Sequence, residues 1–528
     1  MTGFVWSLPA LVVIALLAGG RVGVLRAALA GTLVALAVAL TSAPQPFAAG
    51  QALVALGRGM WIGWSVLPYV LGGLLFWQLA ARPPAGDQSA RAAEPPQAST
   101  DGPSAAQAMA SAAGPPYART AAPVIGPSSA QAAPGSSRAN RRLLFTACFL
   151  VGPFAESATG FGVGMIGTLA LIRHLPLRPG HLLAFTLLSQ TLIPWGAMAS
   201  GTLIGASYAR TTPTALALDS GLLLAAVMVP WLALFWRLAR QAGLGAGAGE
   251  CLRETGWIAV ALTLLLTATR LLGAEIALLA AYGPLIVIHQ VITRRPSPRA
   301  LATAARQVLP YAVLIGCLVS ARLLPGVRQT LAGIGRLQPF ADLPAWSPLL
   351  HAGSWLLAVG IATALLRGRG RQLPRELLTA WRTGRPAILS MFLFAMMAEV
   401  LAGSSIAAAA ASEVSATLGR QAVLIVPPLA ALFGVLTNSG TAGNSLFMAS
   451  QVTLAGEARL PVPAVIALLH VAGSALSMFS PVRMAIACSL AGTPGQEGAA
   501  YRVLAPFAAA AFLVLMAAAC AIAWLGHR

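Results

Sequence analysis

Long apolar runs fill most of the chain, and two polar stretches of small residues break them. Residues 5–18, 27–40, 216–236 and 501–525 are almost continuously hydrophobic. A helix needs about 20 apolar residues to cross the ~30 Å hydrocarbon core of a bilayer. The two longer runs therefore span unaided, and the two shorter ones span with their flanks. The first break is Gly152-Pro-Phe-Ala-Glu-Ser-Ala-Thr-Gly-Phe-Gly162, and the second is Thr437-Asn-Ser-Gly-Thr-Ala-Gly-Asn-Ser445. Each lies between two apolar arms too short to cross a bilayer alone. Backbone that leaves the helix at membrane depth persists only where it is buried in protein or lines a wet cavity. A matched pair of such breaks in the two halves of a chain points to a transporter's binding site.

Composition agrees. The chain has 528 residues, of which 57% are hydrophobic and only 9% charged, with a mean hydropathy of +0.78. About a quarter would be charged in a soluble protein, so the fold class is an all-α, polytopic integral membrane protein. All 34 basic residues are Arg, and they cluster in loops between apolar runs. The net charge of +20 therefore reads as membrane orientation, and nucleic acid is not an expected partner. The five cysteines are scattered without a CxxC pair, so neither a metal site nor a disulfide framework is expected. The first basic residue, Arg21, follows the first apolar run, which predicts a retained helix and not a cleaved signal.

Arg density then sets the topology. Residues 82–142 are rich in Pro, Ala, Ser and Gly without apolar periodicity and are expected to be a disordered linker. That segment and the basic loops at 237–253, 294–306 and 367–385 belong on the cytoplasmic face. Residues 143–172 then begin and end inside. Two half-helices of about ten residues reach only ~15 Å each, so this segment is predicted to be a re-entrant hairpin with its tip at 156–162. A third span near 60–80 precedes the linker, and spans follow near 181–206, 216–236, 257–272, 274–292, 308–324, 347–366 and 386–404. A second hairpin is expected at 424–454, entering from outside, before spans near 463–490 and 501–525. The total is about twelve spans plus two hairpins of opposite entry, an inverted repeat with both termini outside. The chain divides into N-terminal helices (1–81), the linker (82–142), a first hairpin half (143–292) and a second hairpin half (293–528). An interrupted helix follows each hairpin, at Pro194-Trp195-Gly196 and at Phe479-Ser480-Pro481.

The candidate chemistry sits at these breaks. Glu156 is an acid at membrane depth, where a charged side chain costs roughly 2.5–3.5 kcal/mol on insertion scales. It pairs, faces water or takes up a proton, and the last makes it a proton-coupling candidate. The competing reading is a cap on helix N-terminal amides. Gly160, Gly162 and Gly164 permit tight backbone geometry, while Ser157 and Thr159 either donate to a ligand or bond back to their own helix. The second tip offers Asn438, Ser439, Thr441, Asn444 and Ser445 as small polar groups, with a surface loop as the competing reading. Arg483, two residues after Pro481, either grips a carboxylate with parallel hydrogen bonds or is an inside-facing loop Arg that serves orientation. Glu399 is a second intramembrane acid that either titrates or pairs with an Arg. Arg270 and Glu275 read as a surface or interface pair, and His470 reads as a satisfied core residue. No Walker A loop, GxSxG elbow or dinucleotide fingerprint occurs. Neither an enzyme nor a cofactor is expected.

At these residues the chain resembles the L-lactate permease family of secondary transporters. The stretch from Gly152 to Gly162 is similar to that family's Glu-Gly-Ala-Ala-Gly-Phe-Gly signature. The stretch from Thr437 to Gln451 is similar to its Gly-Ser-Asn-Thr-Ser-x-Asn-x-Leu-Phe segment. Met478-Phe-Ser-Pro481 with Met484-Ala-Ile-Ala-Cys488 resembles its Ile-Ser-Pro-Gln-Ser-Ile-Ala-Val-Ala run, and the three occur in the family's order. The resemblance implies an elevator-like architecture in the inner membrane and uptake of small 2-hydroxy monocarboxylates, such as lactate and glycolate, with protons. Ser157, Ser439-Gly-Thr-Ala-Gly-Asn444 and Val482-Arg483 depart from the family pattern where the substrate is expected, and so bear on which carboxylate is carried. A carrier or exporter of another organic anion, Na⁺ coupling, and a channel or scaffold are the competing readings. The oligomeric state is left open, a homodimer included.

Overall fold

Helices take up the apolar runs throughout. The computed structural model describes residues 2–20, 22–80, 137–160, 162–294 and 297–525. Most of the expected 82–142 linker lies outside them. The chain opens with α1 (Thr2–Ala18), α2 (Val24–Ser42) and α3 (Ala49–Ala80). After the linker come α4 (Ser137–Thr146), a π-helical turn (Ala147–Val151), α5 (Gly152–Thr159) and α6 (Val163–Ile172). Next, α7 (Pro179–Leu187) passes through two 3-10 turns, Leu188–Gln190 and Ile193–Trp195, into α8 (Gly196–Ala209). Then follow α9 (Pro213–Gln241), α10 (Ala248–Leu272), α11 (Ala274–Arg294), α12 (Pro298–Leu323), α13 (Pro325–Gly333), α14 (Ala352–Leu366), α15 (Leu373–Gly403) and α16 (Ile406–Leu418). A 3-10 stretch (Gly419–Ile425) leads to α17 (Val426–Thr437), α18 (Gly440–Glu457) and α19 (Val462–Leu476). One more 3-10 turn (Ser477–Phe479) joins α19 to α20 (Pro481–Ala491), and α21 (Glu497–Leu525) closes the described chain.

Both expected hairpins form. α5 packs back on α6, and α17 on α18. The first turns at Gly160 and Gly162, whose φ angles of +67° and +82° favour glycine. The second turns at Asn438, with φ +58°, a left-handed position that Asn tolerates. Each following helix is broken as expected. The pair Pro179–Gln190 and Ile193–Ala209 is bent by 53°. At the other break Ser480 caps α20, its side-chain oxygen accepting from Val482 N, and Pro481 fills the first helical position.

The span count differs from expectation. Among the described residues, ten helical stretches are long and apolar enough to cross a membrane, or eleven if the bent pair counts as one. The expected first and ninth spans form α1 and α14, which are too short to be counted. One counted stretch, Ile406–Thr437, joins α16 to the first arm of the second hairpin. The Ala-rich sequence of α16 gives no sharp apolar boundary, and it was not expected. The first helix after the linker begins at Ser137, inside the 82–142 segment.

Side-chain contacts gather the basic segments at one end of the molecule. Arg141 holds Glu254 through two bonds, at 2.9 and 2.7 Å, and donates to Leu244 O at 3.2 Å. Arg142 pairs with Glu250, Arg253 donates to Thr293, and Arg367 donates to Leu79 O. These contacts tie the 237–253 loop to Arg141, Arg142 and the end of α11, and the start of the 367–385 loop to the end of α3. The loops expected outside meet at the other end, where Asp342 bonds Arg58 and Arg210, and Trp61 donates to Pro344 O. Glu275 pairs with Arg322, not with Arg270 as expected, because α12 packs on α11 while Arg270 is exposed.

The interior holds the hairpins. α8 packs on both α5 and α18, α19 on both α17 and α18, and α20 on α6 and α7. On their flank α3 packs on α5, α14 and α15, and α15 on α2.

Candidate functional site

Glu156 lies one turn before the end of α5 and is almost fully buried. Its carboxylate reaches past the tip to the start of α6, where Oε1 accepts from Gly162 N at 3.2 Å and Oε2 from Gly164 N at 2.9 Å. It thus caps the second half-helix, whose N-terminal amides and dipole stabilise a negative charge. The capping reading of Glu156 therefore holds in this state. A third donor, Gln190 Nε2, approaches Oε2 at 3.1 Å. Gln190 sits in the 3-10 turn where α7 breaks and is completely buried.

Gln190 connects Glu156 to the second repeat. Its Oε1 accepts from Arg483 Nη1 at 2.8 Å, and Arg483 Nε donates to Asn438 Oδ1 at 2.6 Å. Arg483 is 7% exposed and stands in the first turn of α20, where Ser480-Pro481 restarts the helix. An unbroken chain therefore runs Glu156–Gln190–Arg483–Asn438. It joins the tip of one hairpin to the tip of the other through both broken helices. A buried acid and a buried base are costly unless hydrogen-bonded, and here one amide bonds to both.

A second network lies beside it. Asn444 Nδ2 donates to Gly201 O at 2.9 Å and to His470 Nδ1 at 2.8 Å. His470 Nδ1 is then an acceptor, so its proton is on Nε2 and is donated to Thr202 Oγ1 at 2.8 Å. Thr202 in turn donates to Pro194 O at 2.6 Å, at the first break. His470 is thus a satisfied, neutral core residue that ties α19 and α18 to α8.

The other expected donors are turned inward on their own helices. Ser157 Oγ donates to Phe154 O, Thr159 Oγ1 to Ala155 O and Gly160 O, and Ser445 Oγ to Thr441 O. A hydroxyl has one proton, so these groups offer a ligand only lone pairs. Thr441 is half-buried beside Gly201, and Ser439 is half-buried with its carbonyl accepting from Thr437. Glu399 stands apart from this chain of bonds. It accepts from Arg58 Nε at 2.7 Å, and Arg58 also grips Asp342. The two acids named as proton-coupling candidates therefore have different surroundings: one is linked to the second tip through Gln190 and Arg483, the other closes an ion pair.

The backbone at the first break is strained. Ala197, Met198 and Ala199 all have positive φ, at 48°, 55° and 56°. Such residues cost roughly 1–2 kcal/mol each. Ala197 lies against Gly160 at the hairpin tip, where a side chain on Gly160 would strike its Cβ. Strain of this kind persists where surrounding structure enforces it, and functional sites are its usual place.

Gln190 and Thr202 were not named from the sequence. The available signal was the polar triplet Ser189-Gln190-Thr191 inside an apolar run, four residues before Pro194. Among the described residues no cluster of His, Cys, Asp or Glu is arranged to hold a metal ion, and all five cysteines are unpaired.

No curated protein matches the chain. Residues 345–526, which carry the second hairpin and Arg483, match the family model described as L-lactate permease, and this match supports membership of the chain in the lactate permease family.

Proposed function

We propose that this chain is a secondary active transporter that moves small monocarboxylates, 2-hydroxy acids of the lactate and glycolate kind, across the cell inner membrane by proton symport. The family match and the many apolar helices support a membrane transporter of lactate-like substrates. The observation that carries the site and the coupling is the buried chain Glu156–Gln190–Arg483–Asn438. A carboxylate entering a dry site exchanges its water for fixed donors. Arg483, Asn438, Thr441 and the N-terminal amides of the half-helices are the donors at hand. Glu156 is close enough to repel an anion while ionised, and accepts it once protonated. Proton binding and substrate binding are thereby linked.

The test is counterflow in proteoliposomes with a panel of labelled carboxylates, with and without a pH gradient. Lactate or glycolate is expected to exchange, and an inside-alkaline gradient to drive its accumulation. Absence of exchange with every monocarboxylate would contradict the substrate class. Accumulation driven by Na⁺ alone would contradict the proton.

A further inference from the structure

The transport reading leaves one link undescribed: how a proton on Glu156 is felt by Arg483. Gln190 supplies it, and the inference rests on that reading. Arg483 carries only N–H donors, and an ionised carboxylate has only lone pairs. The amide between them therefore has one orientation, Nε2 toward Glu156 Oε2 and Oε1 toward Arg483 Nη1. In that orientation Gln190 occupies the direction in which Arg483 Nη1 would meet an incoming carboxylate. Asn438 occupies Nε in the same way.

Protonation of Glu156 at Oε2 reverses one demand. That oxygen becomes a donor and needs an acceptor where Nε2 now stands. Half a turn of the amide brings Oε1 to Glu156 and Nε2 toward Arg483. Two donors then face each other, their bond is lost, and both point into one space. A carboxylate is the group that such converging donors beside a cation recognise. We propose that Gln190 is a turning amide relay, which blocks Arg483 while Glu156 is ionised and opens it, adding a second N–H donor, once Glu156 is protonated.

Arg483 faces Glu156 through Gln190. The titratable groups on the other elements packed against α5 are engaged elsewhere. Arg58 is held by Asp342 and Glu399, and Glu275 by Arg322. Tyr208 donates to Ala395 O and Cys148 to Phe185 O. Tyr69 packs at a tilt against His351 and His289 meets Trp257 edge to face, while Tyr282 is buried on α11.

The experiment measures the half-saturation concentration for exchange at pH 5.5 and pH 8, using the labelled monocarboxylate of the panel that the wild type exchanges fastest. In Gln190→Met the block on Arg483 and the extra donor both disappear. The ratio of the pH 8 value to the pH 5.5 value is expected to shrink about tenfold, the effect of one hydrogen bond to a charged group. In Gln190→Glu an ionised side chain holds Arg483 at pH 8, and the ratio is expected to grow about tenfold. A residue that only packs would shift both values by one factor. A ratio unchanged within about twofold in Gln190→Met overturns the relay. Should that variant fail to reach the vesicles, an unchanged ratio in Gln190→Glu overturns it equally. A wild type that exchanges no monocarboxylate overturns the transport reading instead, so the two failures are distinct.

Discussion

Asp342 ties its own loop to Arg58 on α3 and to Arg210 after α8, and its chemistry separates stability from transport. Hydrogen bonds from Arg58 first and Arg210 second hold its carboxyl well below the usual carboxylate range. A depressed folded value stabilises the fold above the unfolded pKa of about 4, and is lost only as pH falls below that through the folded value. The clamp is therefore constant between pH 5 and 8. It is half-exposed, so its contribution is about 1 kcal/mol or less. Asp342→Asn is expected to lower the thermal unfolding midpoint in detergent by the same small amount at pH 5 and pH 8. A loss seen at pH 8 and absent at pH 5 would show that the clamp titrates in this range. Single residues were legible in the sequence where polarity was locally out of place, as at Glu156, Asn438 and Arg483. Their partners were not. Gln190 lies 34 positions from Glu156 and 293 from Arg483, and Glu399 is 341 from Arg58. Only the fold brings such pairs together.

Each hairpin is seated by a close backbone approach. A Cβ at Gly434 on α17 would strike the carbonyl of Gly473 on α19, and one at Gly73 on α3 would strike that of Ala158 on α5. Backbone cannot move aside as a flexible side chain can, so Gly434→Ala is expected to destabilise by about 1–3 kcal/mol. Gly456→Ala on α18 is the control, since a Cβ there meets nothing within 4 Å. It should be neutral or slightly stabilising in the same thermal scan, because Ala favours the helix. Equal effects from the two substitutions would mean that the α17–α19 contact is not tight. The hairpins themselves could be read in advance, because polar tips between short apolar arms have few structural solutions in a membrane. The broken helices were equally legible from Pro194, Gly196 and Pro481. α16 was not, since its Ala, Ser and Thr residues fit a helix, a loop or a continuation of α15.

At the scale of the whole molecule, a chain of bonds with a negative end at Glu156 and a positive centre at Arg483 joins the two hairpins, beside the Asn444–His470–Thr202 network. The pair is neutral when the site is empty. It is neutral again when a proton and a carboxylate are both bound. Either alone leaves a buried charge uncompensated, which is costly. Glu399 does not share this position, because Arg58 already balances it. The proposed symport therefore assigns proton coupling to Glu156. The decisive measurement is transport by Glu156→Gln in proteoliposomes. Fixing the neutral state should preserve exchange of substrate for substrate and abolish accumulation driven by a pH gradient. Accumulation by this variant against a concentration gradient, still dependent on the pH gradient, would contradict Glu156 as the coupling group.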